Sequence, residues 1–173
     1  MNTGTLITVG ISDCAVSNDP SAILVTHALG SCIALAIHDP VAQVAGLLHF
    51  MLPDSGLQRD QHNSRPFMYA DIGIPLLFHG AYGLGAAKPR LIVTALGGAQ
   101  VIEASDAFNI GRRNYLAMRR ILWKAGVMLH AEDVGGNLPR TAHMEVGSGR
   151  IIVSSDRQER VIQRTHTERS RAV

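Results

Sequence analysis

The stretch CIALAIHDPVAQVAGLLHFM, residues 32–51, decides the fold. Two apolar runs, 32–38 and 44–51, flank a short connection opened by His-Asp-Pro, which is the pattern of an antiparallel hairpin. Neither run alternates cleanly between apolar and polar side chains. Such near-continuous hydrophobicity predicts strands buried on both faces.

Reading outward, TLITVGI (5–11) and AILVT (22–26) are further short apolar runs, bounded by turn signals at 17–20 and 28–31. Residues 54–68 are polar with scattered Gly and Pro and read as a long surface loop. A helix is expected over 69–82, with Ala70, Ile74, Leu77 and Ala81 on one stripe. A buried strand follows at 90–98, ending in Gly-Gly. A second helix spans 112–125, with Tyr115, Met118, Leu122 and Ala125 on one face and Arg112, Arg113, Arg119 and Arg120 mostly on the other. A strand at 127–134 and a hairpin around residues 147–149 complete the pattern. The order strands, helix, strand, helix, strands predicts an α/β fold with helices packed on a mixed, largely antiparallel sheet. One domain is expected over 1–156. Residues 157–173 are polar and Arg-rich and are expected to form a frayed tail or a terminal helix.

The chain has 173 residues with 46% hydrophobic and 17% charged, enough to bury a core and too apolar for disorder. Its net charge of +2 does not point to nucleic acid or to an anionic membrane. No apolar run approaches the ~20 residues of a membrane-spanning helix. The first residues lack a basic region followed by a long apolar core. A cytoplasmic protein is expected, where thiols stay reduced, so Cys14 and Cys32 are not expected to pair.

Within THALGSC (26–32), Gly30 and Ser31 form a turn immediately before Cys32. Such a turn leaves the N–H groups near Ser31 and Cys32 free to hold an oxyanion beside a nucleophile. A thiol also needs a base, because it is mostly protonated at pH 7. His49 is the candidate: antiparallel pairing of the hairpin brings the start of one strand and the end of the other to the same edge. Thr26 closes the preceding strand with a hydroxyl able to orient the imidazole. Each of the three also has a structural reading, as a buried cysteine, a core histidine and a strand threonine. A metal site from His27, Cys32, His38 and His49 is the other sharp reading. It is disfavoured because Cys32 and His38, on one strand face, lie about 20 Å apart at ~3.3 Å per residue. No metal or other cofactor is expected, and Cys14 reads as structural.

VTHALGSCIALAIHDP (25–40), GLLHFMLPDS (46–55), YAD (69–71), LGGAQ (96–100), NIGRRN (109–114) and AEDVGGN (131–137) occur in an order and spacing that resemble the chemoreceptor glutamine deamidase family, CheD. The resemblance covers roughly residues 5–155. It implies a three-layer α/β/α sandwich. It implies hydrolysis of glutamine side-chain amides in methyl-accepting chemotaxis receptors, giving glutamate and ammonia. The family's catalytic cysteine, histidine and threonine fall on Cys32, His49 and Thr26. A CheC-like phosphatase is the implied second partner. His27 and Ala28 depart from the small or apolar pair expected after the threonine. Arg59 and Arg65, in the loop that follows His49, are candidates for meeting receptor carboxylates. Asp71 is expected to cap a helix and Asn114 to bind a turn. The same thioester chemistry can accept a methyl ester. Two other readings stay open: a non-catalytic chemotaxis adaptor, and a cysteine hydrolase acting on a different protein.

Overall fold

The computed structural model of the chain describes residues 4–56, 64–100 and 109–163. Ten strands and two α-helices are placed there: β1 (Leu6–Thr8), β2 (Asp13–Ser17), β3 (Ile23–Leu29), β4 (Ile33–Asp39), β5 (Val44–Phe50), α1 (Ala70–Gly83), β6 (Ile92–Gly97), α2 (Ile110–Lys124), β7 (Ala131–Val134), β8 (Arg140–Glu145), β9 (Ile151–Ser155) and β10 (Gln158–Gln163). They form two five-stranded sheets, ordered β1-β3-β8-β9-β10 and β2-β5-β4-β6-β7. Both are mixed and largely antiparallel, with the parallel pairs β1–β3 and β6–β7 at edges. Among the described residues no helix is long and apolar enough to cross a membrane.

The hairpin read first in the sequence is β4–β5, in the register Ile33↔Phe50 to Asp39↔Val44. All fourteen of its strand residues are buried. Its two faces are chemically different. Ile33, Leu35, Ile37, Leu48 and Phe50 point to α1 and α2, meeting Ile74, Leu77, Phe78, Met118 and Leu122. Ala34, Ala36, Ala45 and Leu47 point to the other sheet, meeting Leu24, Leu29, Ala142, Met144, Ile151 and Val153. Large side chains fill the gap to the cylindrical helices, and small ones let two flat sheets approach.

The α/β class with mixed, largely antiparallel sheets is as expected, and among the described residues the layers run helices, sheet, sheet. Both helices carry apolar stripes that fit the same face of the β4–β5 sheet. Among the described residues none is left for the outer face of the second sheet, where Thr141, His143 and Glu145 of β8 alternate with buried Arg140, Ala142 and Met144. That alternation belongs to a sheet covered on one side only. Two strands went unread in the sequence. DCAVS forms β2, an edge strand against β5. Residues 158–163, assigned to the tail, form β10 in a hairpin with β9. Its QERVIQ is too polar to look like a core strand, yet an edge strand needs little apolar surface.

The far end of the hairpin is closed by Asp39. Its buried carboxylate accepts from the N–H groups of Val41, Ala42 and Ala87 and pairs with Arg90 at 2.7 Å. Burial opposes its charge, but the Arg90 guanidinium and these N–H groups outweigh burial and hold the carboxyl well below the usual carboxylate range. The folded state thus keeps its charge where the unfolded chain takes up a proton. The stabilisation is full above the unfolded value of 3.8 and fades as pH falls below it. Asp39→Asn should lower stability at pH 7 by about 2–3 kcal/mol and flatten the acid limb of the stability curve below pH 4, as read from urea unfolding.

Candidate active site

Odd-numbered residues of β5 face the second sheet, so His49 lies between the sheets. It pairs with Ala34 on one side and Asp13 on the other, and the small Ala34 leaves room for the ring. Thr26, on β3 of the opposite sheet, meets it there. Both side chains are fully buried. Thr26 Oγ1 lies 2.7 Å from the Val9 carbonyl oxygen and 2.8 Å from His49 Nδ1. A carbonyl oxygen can only accept, so the single hydroxyl proton goes to Val9. Toward His49 the hydroxyl is therefore an acceptor, and Nδ1 must carry the ring proton. Nε2 is left with the lone pair. It is buried and has no hydrogen-bond partner among the described residues. Burial also pulls the imidazole pKa down from 6.5 to about 4, so the ring is neutral near pH 7.

Cys32 lies in the turn just before β4, two residues from Ala34, half-buried against the same inter-sheet core. With Nε2 unpaired, the hydrogen bond expected between Cys32 and His49 is not formed in this state. Burial, partly opposed by the residue's own backbone N–H, pushes the Cys32 thiol up. Both shifts favour the neutral thiol and the neutral imidazole over an ion pair.

The Cys32 turn is clamped from behind. The Gly30 carbonyl accepts from Ala99 N–H and the Cys32 carbonyl from Gly98 N–H, both at 2.7 Å. The Ser31 carbonyl accepts from Asn114 Nδ2 at 3.0 Å. In a planar trans peptide the C=O and the following N–H point in opposite directions. Pulling the Gly30 and Ser31 carbonyls toward the β6–α2 side therefore turns the Ser31 and Cys32 N–H groups away from it. The close approach requires glycine at Gly97 (φ +99°), where a Cβ would lie 2.4 Å from the Cys32 oxygen. The left-handed residue at the start of the turn is Ala28 (φ +55°), beside a register shift in β3.

The other residues singled out in the sequence are dispersed. Arg59 lies outside the described residues. Arg65 is exposed, at the start of a short 3₁₀ turn. His27 is exposed, its ring edge-to-face with His143 at 6.3 Å on the outer side of the second sheet. His38 is buried at the opposite end of β4, bonded to the Val146 carbonyl. Cys14 faces the helix-side core, and burial followed by the charge of Asp13 pushes its thiol up to about 12. Asp71 lies in the first turn of α1 but holds the Ser55 N–H and hydroxyl rather than capping the helix. Asn114 binds the Cys32 turn, as expected of it, and also reaches the Met51 carbonyl at 2.9 Å. The second contact was not visible in the sequence, because it depends on how α2 lies across the sheet edge.

Three curated relatives match most of the chain. A protein of Solibacter usitatus is 47% identical over 154 residues, 89% of this chain and 91% of its own. One of Syntrophus aciditrophicus is 48% identical over 149 residues, 86% and 93% respectively. One of Anaeromyxobacter dehalogenans is 51% identical over 153 residues, 88% and 96%. Each carries the name probable chemoreceptor glutamine deamidase CheD. The family described as CheD chemotactic sensory transduction matches residues 51–155.

The buried neutral His49 has a consequence for stability. Its folded pKa of about 4 lies below its ordinary value of 6.5, so the unfolded chain binds the proton first. Stability is then unaffected above pH 6.5 and falls as pH drops from there toward 4. His49→Gln should remove this slope between pH 6.5 and 4, whatever its constant offset at pH 8, as measured by urea titrations at each pH.

Proposed function

The chain belongs to the CheD family, and on that premise we propose that it is a chemoreceptor glutamine deamidase whose chemistry is carried by Cys32, His49 and Thr26. The observation that supports this reading most is the Thr26 relay. It leaves an unpaired, unprotonated Nε2 buried on the inter-sheet face toward which Cys32 also packs. A buried acceptor without a partner is unfavourable. A base awaiting a proton accounts for it, whereas a purely structural histidine does not.

When a glutamine side chain enters, His49 Nε2 takes the Cys32 proton and the sulfur attacks Cδ. The oxygen of the tetrahedral intermediate takes the negative charge, and the Ser31 and Cys32 N–H groups hold it. The C–N bond breaks as the imidazolium returns its proton to nitrogen, releasing ammonia and leaving a thioester. His49 then takes a proton from water, the hydroxide attacks the thioester, and collapse frees glutamate and restores the thiol. Throughout, Nδ1–H stays bonded to Thr26, which keeps the ring oriented. Because Thr26 is neutral, it does little to stabilise the imidazolium, so the ring gives its proton up readily to the leaving group.

A methyl ester of a receptor glutamate fits the same steps, with methanol leaving in place of ammonia. A CheC-like phosphatase seated over the Cys32 turn would block receptor access. The adaptor reading is weaker, since binding alone needs neither the free Nε2 nor a thiol packed against the same inter-sheet core.

The test is incubation with a cytoplasmic receptor fragment from the same organism and mass spectrometry for +1 Da shifts at glutamines. Cys32→Ala should abolish the shift. His49→Ala should lower kcat at least ~10³-fold, and Thr26→Val about 10–100-fold, since its role is orientation. Undiminished turnover by Cys32→Ala would overturn the mechanism.

A further inference from the structure

Asn114 is fully buried at the N-terminal end of α2, and its amide makes an unusual choice of partners. Both Nδ2 protons are used, one on the Ser31 carbonyl at 3.0 Å and one on the Met51 carbonyl at 2.9 Å. Oδ1 is buried with no partner among the described residues. The assignment of nitrogen and oxygen does not depend on seeing hydrogens. The flipped amide would set an oxygen against two carbonyl oxygens, which only a donor can satisfy. The side chain therefore gives up its acceptor in order to keep both donors in place.

The two carbonyls belong to opposite halves of the chemistry. Ser31 immediately precedes Cys32, and its carbonyl shares a peptide plane with the Cys32 N–H. Met51 lies two residues beyond His49. One side chain from a helix thus joins the nucleophile's turn to the end of the histidine's strand, at the point where β4 has not yet begun and β5 has ended. Ladder hydrogen bonds fix the hairpin from Ile33↔Phe50 inward. They do not reach this end. The Gly98 and Ala99 N–H groups hold the Cys32 turn but not the His49 strand.

We propose that Asn114 is a positioning residue of this active site, setting the Cys32 peptide plane and the separation of Cys32 from His49 through its paired donors. The role rests on the Cys32–His49 reading above, but its test does not require deamidation to be the activity. If the Ser31 carbonyl is released, its peptide plane can rotate, and the Cys32 N–H leaves the sulfur it assists. The thiol then becomes harder to ionise and the oxyanion loses an aligned donor.

The experiment compares Asn114→Ala with Asp39→Asn, a destabilising change at the far end of the same hairpin. Both are studied in the full chain, well below either melting temperature. Two quantities are read: the pH profile of Cys32 alkylation by iodoacetamide, and kcat and KM on the receptor fragment. Positioning predicts that Asn114→Ala moves the alkylation profile to higher pH and lowers kcat about tenfold or more, with KM within about threefold. Asp39→Asn should leave both near wild type. Asn114→Ser, which keeps a donor, should fall between. An alkylation profile and kcat for Asn114→Ala that match Asp39→Asn would overturn the proposal and leave Asn114 a structural residue. If the wild type deamidates nothing, the alkylation profile alone still decides. If neither Asn114 variant folds, the side-chain amide resonances of Asn114 in ¹⁵N-labelled wild type are followed as Cys32 is alkylated. A clear shift supports the coupling, and unmoved resonances overturn it.

Discussion

The site depends on the destination of one proton. Thr26 has a single hydroxyl hydrogen, and the Val9 carbonyl can only accept it. Everything about His49 follows: which nitrogen is protonated, which way the ring faces, and why a lone pair is left buried without a partner. A hydroxyl that could donate in either direction would leave the imidazole free to choose its tautomer. Here Val9, just past the end of β1, removes that freedom from one sheet while His49 sits on the other. The two sheets must therefore be held in register with each other, and the small residues Ala34, Ala36 and Ala45 on the facing surface permit the close packing that does so.

The same packing explains how a polar group survives in an apolar seam. A threonine–histidine pair costs little to bury when one partner's proton and the other's acceptor are matched, and only Nε2 remains unsatisfied. The clamp behind Cys32 works in the same way. Three successive carbonyls, from Gly30 to Cys32, are each given a donor by the segment joining β6 to α2 and by α2 itself. Peptide planarity converts those contacts into a direction for the opposite N–H groups. The direction of the Ser31 and Cys32 N–H groups is thus set by bonds on the opposite side of the turn.

How much of this was legible in the sequence depends on whether the signal was local. The β4–β5 hairpin was read because apolar runs of seven and eight residues and a short Asp-Pro turn are local features. The Cys32 turn was read because Gly-Ser-Cys is local too. The layer order was not, since periodicity shows that a helix has an apolar stripe without showing which sheet face the stripe meets. The alternation of residues 140–145 carried the missing information, for it marks a strand with one face more deeply buried than the other. Edge strands β2 and β10 were missed because edges need little hydrophobicity. The LGGAQ and NIGRRN segments were read as the Gly-Gly end of a strand and the start of a helix, with Asn114 binding a turn that the sequence did not identify. Their work is tertiary: Gly97 and Gly98 admit the Cys32 turn, and Asn114 crosses to it. Glycines and an asparagine carry no periodic signal that says which turn they meet.

The resting charge state bears on selectivity. Burial raises the Cys32 thiol and lowers the His49 imidazole, so both pKa directions favour the neutral pair over thiolate and imidazolium. A standing thiolate reacts with any oxidant or electrophile that reaches it. A neutral thiol beside a neutral base becomes nucleophilic only as the proton moves, and that movement is favourable only if the developing negative charge has somewhere to go. On the proposed roles, the place is the oxygen of a bound amide facing the Ser31 and Cys32 N–H groups. Activation and substrate position are then the same event. An amide that reaches the thiol without placing its oxygen at those N–H groups meets an unreactive site.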